Sequence, residues 1–169
     1  MASTSAGDAK KNDPHPELVE GRTAALQPSG QRPRIIVHSL AHAEAALAAA
    51  ADLGVPVMLA SAPGAAGYAG PLWFKALIEE ACRGHPEADA ASLLDCGEEP
   101  GTALGALRAG IKHIRFTGDD ATRQRLADIA AQLDAIVEGK DASPALDLLD
   151  ARDPAAACRA FLAGNETVR

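Results

Sequence analysis

Leu94-Asp95-Cys96-Gly97, with the run that follows through Arg108-Ala109-Gly110 to Phe116-Thr117-Gly118, reads as strand, turn, helix, strand. Ala90 to Asp95 suits a buried strand, and Pro100 suits the first turn of a helix. Gly110 closes that helix before the next strand, Ile111 to Phe116. The stretch thus sets one carboxylate, Asp95, and one thiol, Cys96, at the C-terminal end of a buried strand. In parallel α/β proteins that is where chemistry usually sits.

The same alternation extends in both directions. Arg34 to Ser39 is a β-branched run, and Leu40 to Leu53 is an Ala-rich helix with Gly54 placed to cap it. Val55 to Ala60 is a second strand, with Pro56 near its start, where a missing N–H is tolerated. A small-residue loop, Pro63 to Gly70, leads to a helix that opens on Pro71 and runs to about Arg83. Downstream, Asp119 or Asp120 can cap a helix reaching about Leu133. Ala135 to Glu138 is a short fifth strand, a turn-rich piece follows, and Asp153-Pro154 starts a last helix to Ala163. Five strand–helix units imply a parallel sheet with right-handed crossovers.

Residues 1–33 differ from the rest. Ser, Asp, Lys, Pro and Gly dominate without periodicity, which predicts a disordered arm ahead of one domain at 34–169. Within the arm, His15-Pro16-Glu17-Leu18-Val19-Glu20-Gly21 resembles the translated form of a short palindromic genomic repeat, so His15 and Glu17 are assigned no chemistry. The 169 residues suffice for one core, which must be aliphatic because aromatics are only 3%. A net charge of -7 argues against nucleic-acid or anionic-membrane partners, which need a basic face. No apolar run approaches a membrane span or a secretory h-region. Cys82, Cys96 and Cys158 form no CxxC pair, which fits a cytoplasmic, reducing setting.

Read in order, residues 36–118 resemble the first half of the class II, metal-dependent fructose-bisphosphate aldolase family. A family strand-loop of the type PVIIQxSxGAxxYAG corresponds to Pro56-Val57-Met58-Leu59-Ala60-Ser61-Ala62-Pro63-Gly64-Ala65-Ala66-Gly67-Tyr68-Ala69-Gly70. HLDHG corresponds to Leu93-Leu94-Asp95-Cys96-Gly97, and the AG pair to Ala109-Gly110. The next family strand corresponds to His113-Ile114-Arg115-Phe116-Thr117-Gly118-Asp119, and VEAE to Val137-Glu138-Gly139-Lys140. The resemblance implies five units of a TIM-barrel-like fold, left as a partial barrel or an open parallel sheet that relaxes toward a flavodoxin-like order. It implies Asp95 as catalytic acid/base, Cys96 as metal ligand in place of a histidine, and Ser61, Gly64, Gly97, Gly118 and Glu138 around a substrate.

Departures from the family pattern weaken the implied chemistry. The other two zinc histidines and the phosphate loops of the family lie beyond its fifth unit. Leu93 replaces the first His of HLDHG, Thr117 an Asp, and Lys140 the second Glu of VEAE. A single ligand does not make a zinc site, which takes three or four. Asp95 therefore reads either as a retained acid/base or as a turn carboxylate, and Cys96 as a ligand, a nucleophile or a small buried hydrophobe. In a barrel-like sheet His38 comes near Cys96, which would permit a thiol dyad. The loop Gly64 to Gly70 could cradle a phosphate, though it lacks the established glycine patterns. His113 and Arg115 alternate along their strand toward a helix or solvent, and Trp73 with Phe74 is core or a partner surface.

The expectation is a divergent, non-catalytic class II aldolase relative, a pseudoenzyme at the margin of carbohydrate metabolism, that binds a small metabolite or a protein partner. The alternative is a metal-dependent aldehyde-lyase whose site a second chain completes. No cofactor is expected in the first case, and zinc in the second. An unclosed sheet also exposes strand edges, so the chain should self-associate, meet a protein that supplies the missing barrel half, or cover an edge with residues 143–169. Deleting residues 1–33 should leave the melting temperature almost unchanged. A drop of more than a few degrees would contradict the reading of the arm.

Overall fold

The computed structural model describes residues 32–165. The expectations for residues 1–31 lie outside them. Residues 32 and 33 belong to the folded part: Arg32 pairs with Asp89 at 2.9 Å, and the Pro33 carbonyl accepts the Met58 amide. The elements run β1 (Arg34–Ile36), α1 (Leu40–Leu53), β2 (Val57–Ala60), α2 (Ala65–Tyr68), α3 (Pro71–Gly84), β3 (Ala90–Asp95), α4 (Pro100–Arg108), β4 (His113–Arg115), α5 (Asp120–Ala131), β5 (Ile136–Glu138), β6 (Ala145–Asp147) and α6 (Pro154–Asn165). Local chemistry sets these bounds. Ser39 and Asp119 cap α1 and α5 with side-chain oxygens, and Pro71 and Pro100 open α3 and α4. Gly54 ends α1 in the left-handed region at φ 66°.

All strands are parallel, in the order β5-β4-β3-β2-β1-β6. The first five strands are neighbours in chain order, as in a barrel, and this excludes the flavodoxin-like order. The helices follow the same sequence, with α6 against α1, α1 against α3, α3 against α4 and α4 against α5. They form one layer over one face of the sheet.

Alternation along each strand assigns the two faces. Ile35, Val37, Val57 and Leu59 meet Ala43, Ala46, Leu47, Leu77 and Ala81 on the helix side. Leu94, Cys96, Ile114 and Phe116 continue that core against Phe74, Ala103, Ala106 and Leu126. The many alanines let helices ride close to the strands in a chain with few aromatics. The opposite face carries Met58, Ala60 and Leu93, with Arg34, Asp95, His113, Arg115 and Glu138 in the alternate positions.

That second face is concave. A flat sheet would hold β1 and β5 about 19 Å apart, four strand spacings. Yet Arg34 on β1 touches Glu138 on β5 at 3.2 Å. The sheet must therefore curl until its first and fifth strands face each other, as barrel strands do. Residues 139–144 then run from the end of β5 to the start of β6, across the open side.

The sixth strand corrects the expectation of five. Ala-Leu-Asp is too short and too exposed to show a pattern, and it pairs with β1 through Arg34↔Ala145 to Ile36↔Asp147. It realises the edge-covering role expected of residues 143–169. Behind it Leu148, Cys158 and Leu162 are fully buried against α1. Ending the chain at residue 142 would uncover the β1 edge and this apolar seam together. We expect that fragment to aggregate in light scattering while the full chain stays soluble, and a soluble, folded fragment would contradict this role for β6 and α6.

Candidate functional site

Asp95 ends β3 as a buried carboxylate whose bonds are mostly committed. Its Oδ1 accepts the backbone N–H of Gly64 at 2.8 Å and of Gly97 at 2.9 Å. Its own amide donates to Ser61 Oγ at 2.9 Å. Gly64 and Gly97 both lie in the left-handed region, at φ 66° and 62°. That conformation turns their amides onto one oxygen, and a side chain at either would strain it. Ser61, Gly64, Asp95 and Gly97 thus do come together, as a knot tying the loop after β2 to the loop after β3.

Cys96 goes elsewhere. One residue past Asp95, it faces the helix layer, 3% exposed, among Phe74, Ala103 and Phe116. Burial, and then the Asp95 charge, pushes its thiol up to about 12. Its side chain thus points away from the concave face that carries Asp95 and Glu138. The Cys96–His38 dyad does not form: His38 Nε2 lies 2.7 Å from Asp147 at the ends of β1 and β6. Gly118 sits beyond β4, where a Cβ would collide with the Phe116 ring. It borders a polar cleft of about 560 Å³ with Asp119, Asp120, Arg123, Gly139 and Lys140.

Glu138 is the hub of the concave face. Its Oε1 accepts from Arg115 Nε at 3.0 Å and Nη2 at 2.6 Å. Arg34 Nη2 approaches at 3.2 Å. His113 Nε2 stands 3.2 Å from Oε2, close but too poorly directed for a good hydrogen bond. Arg34 Nη1 continues to Asp141 Oδ2 at 2.7 Å, and Arg115 Nη1 to Asp95 Oδ2 at 3.8 Å. Burial alone would raise the Glu138 carboxyl, but His113, Arg115 and the Arg34 charge together hold it below its ordinary value. Bonds from the Ser143 hydroxyl and amide, helped by Arg34, hold Asp141 down at about 2.

The expected substrate residue Glu138 therefore has three basic neighbours. Lys140, which stands where the family pattern has the second Glu of VEAE, is exposed in the segment after β5. Arg34, His113 and Arg115 turn inward, not toward a helix or solvent, and their role was missed. A signal did exist. His113-Ile114-Arg115 alternates polar and apolar in a strand that helices cover, so its polar side must face the barrel interior. Among the described residues no three His, Cys, Asp or Glu side chains converge as metal ligands.

The fold is a partial (βα) barrel, an open and rolled parallel sheet with its helices on one face. Among solved structures it is similar to a protein assigned as a fructose-1,6-bisphosphate aldolase from Coccidioides immitis, with a TM-score of 0.52 and 20% identity. The match covers 64% of this chain and 45% of that one, so the chain spans less than half the length of that structure. No family model matches the chain, and no curated protein does. No described helix is long and apolar enough to cross a membrane.

Glu138→Gln leaves Arg34 and Arg115 short of a counter-charge in a nearly closed interior, a loss on the order of 3 kcal/mol. Because the folded pKa of Glu138 lies below its ordinary 4.5, its stabilisation is present above that pH and fades as pH falls through the folded value. Denaturation curves should thus show wild-type stability falling below about pH 4.5, with a shallower fall in Glu138→Gln. Parallel profiles for the two proteins would contradict the hub role.

Proposed function

We propose that this chain is a non-catalytic relative of class II aldolases that binds a small metabolite. The observation that carries the reading is the engagement of Asp95. A general base must reach a substrate proton with a free lone pair. Here Oδ1 holds two backbone amides, which fixes the carboxylate on the loops, and Oδ2 lies 3.8 Å from Arg115 Nη1. The position that resembles the family's acid/base therefore serves the loops.

Among the described residues the metal chemistry of the family has no donor set to rest on. A catalytic zinc takes about three protein ligands and a water. The present residues do not fit it: Cys96 faces the helices, and Glu138 is already surrounded by cations. Three free thiols, two of them buried, accord with a cytoplasmic setting. The alternative, a lyase completed by a second chain, would need that chain to bring at least two ligands and to displace residues 139–144.

A coupled assay for triose phosphate release from fructose 1,6-bisphosphate tests the reading, with wild type and Asp95→Ala run side by side, with and without zinc. We expect no cleavage by either protein. Cleavage by wild type that vanishes in Asp95→Ala would overturn the non-catalytic reading.

A further inference from the structure

Arg34 is a costly residue to place where it stands. Its side chain is 6% exposed, inside a rolled sheet, at a position that barrels usually fill with branched aliphatics. Glu138 already supplies one counter-charge. The second partner, Asp141, does not belong to the sheet. It lies in residues 139–144, which cross the open side and are mostly exposed, and its own side chain is 33% exposed.

Asp141 makes incomplete use of the site. Only Oδ2 meets Arg34, at 2.7 Å, while Oδ1 turns back to the Ser143 amide and hydroxyl at 2.8 and 2.7 Å. One donor in the same cluster, Arg34 Nε, remains buried without an acceptor, while His113 Nε2 stands 3.2 Å from Glu138 Oε2. Both side chains are at least nine-tenths buried. Buried donors are almost always satisfied, so the orphaned Arg34 Nε points to an acceptor that has still to arrive. The arrangement is a guanidinium held from behind by Glu138 and covered from the front by a removable carboxylate.

We infer that Asp141 is a built-in placeholder in a small-anion site centred on Arg34, and that residues 139–144 swing aside to admit a carboxylate or phosphate group. An incoming carboxylate replaces Asp141 charge for charge, and a phosphate adds up to about one further negative charge beside Arg34 and Arg115. Either brings an additional oxygen for Arg34 Nε, and arginine suits either group through its planar fork of N–H donors. The inference rests on the reading of the chain as a metabolite-binding protein and specifies the charged group of that metabolite. It concerns the start of β1, away from the Asp95 knot.

Competition with a tethered carboxylate weakens binding by the fraction of time the site is open. Removing the competitor therefore strengthens it. Full-length wild type, Asp141→Ala, and Asp141→Ala combined with Arg34→Lys are titrated with inorganic phosphate and, separately, with acetate, at fixed ionic strength, by two-dimensional NMR. We expect Asp141→Ala to bind at least one probe tenfold or more tightly than wild type, with shifts centred on β1, β5 and residues 139–147. Arg34→Lys should abolish the gain, and the two probes tell phosphate from carboxylate preference. Equal affinity in wild type and Asp141→Ala overturns the proposal, and so does a gain that survives Arg34→Lys. If Asp141→Ala fails to fold, Asp141→Asn removes the charge while keeping an acceptor for Ser143, and is read the same way. Aldol cleavage by wild type would sink the non-catalytic reading and leave this comparison standing.

Discussion

The contact between Arg34 and Glu138 is the constraint on which the rest of the structure depends. It joins the first and fifth strands across the interior of a sheet that is not closed by hydrogen bonds. An eight-stranded barrel owes its curvature to closure. Six strands lack that closure, and here an ion pair and a short crossing segment stand in its place. The helix layer on the outer face favours the same curl, because its alanine-rich packing pulls strands and helices together along the whole arc.

A polar interior has consequences for chemistry. Charges placed in a low-dielectric space must be matched, and each member then becomes costly to remove. Glu138 is matched by Arg34, Arg115 and His113, and Asp95 by two amides and Arg115. Groups so engaged hold a structure well. The likeness to the Coccidioides immitis structure concerns the fold.

Much of the fold was legible in the sequence because local rules and tertiary context agree. Pro71, Pro100, Gly54 and Asp119 mark helix ends by mechanisms confined to a few residues, and the helices fall where these residues place them. β6 was not legible. Three residues after a proline carry no periodicity, and only the waiting edge of β1 makes them a strand. At the site, Ser61, Gly64, Asp95 and Gly97 were named by the resemblance, and their places at adjacent strand ends bring them together. The inward turn of His113 and Arg115 is signalled by the alternation of their strand, but their meeting with Arg34 at Glu138 depends on how far the sheet rolls, a long-range property that no window of sequence contains. Cys96 shows the opposite limit: the period-two alternation that puts Asp95 inward had to put its neighbour outward.

A double-mutant cycle across the interior tests the account most directly. Unfolding free energies are measured by chemical denaturation for wild type, Arg34→Met, Glu138→Gln and the double variant. If the two side chains meet across a rolled sheet, their effects are strongly non-additive, with a coupling of about 1–3 kcal/mol. Additive effects, with a coupling below about 0.5 kcal/mol, would mean that β1 and β5 do not face each other and that the sheet is not rolled by this contact.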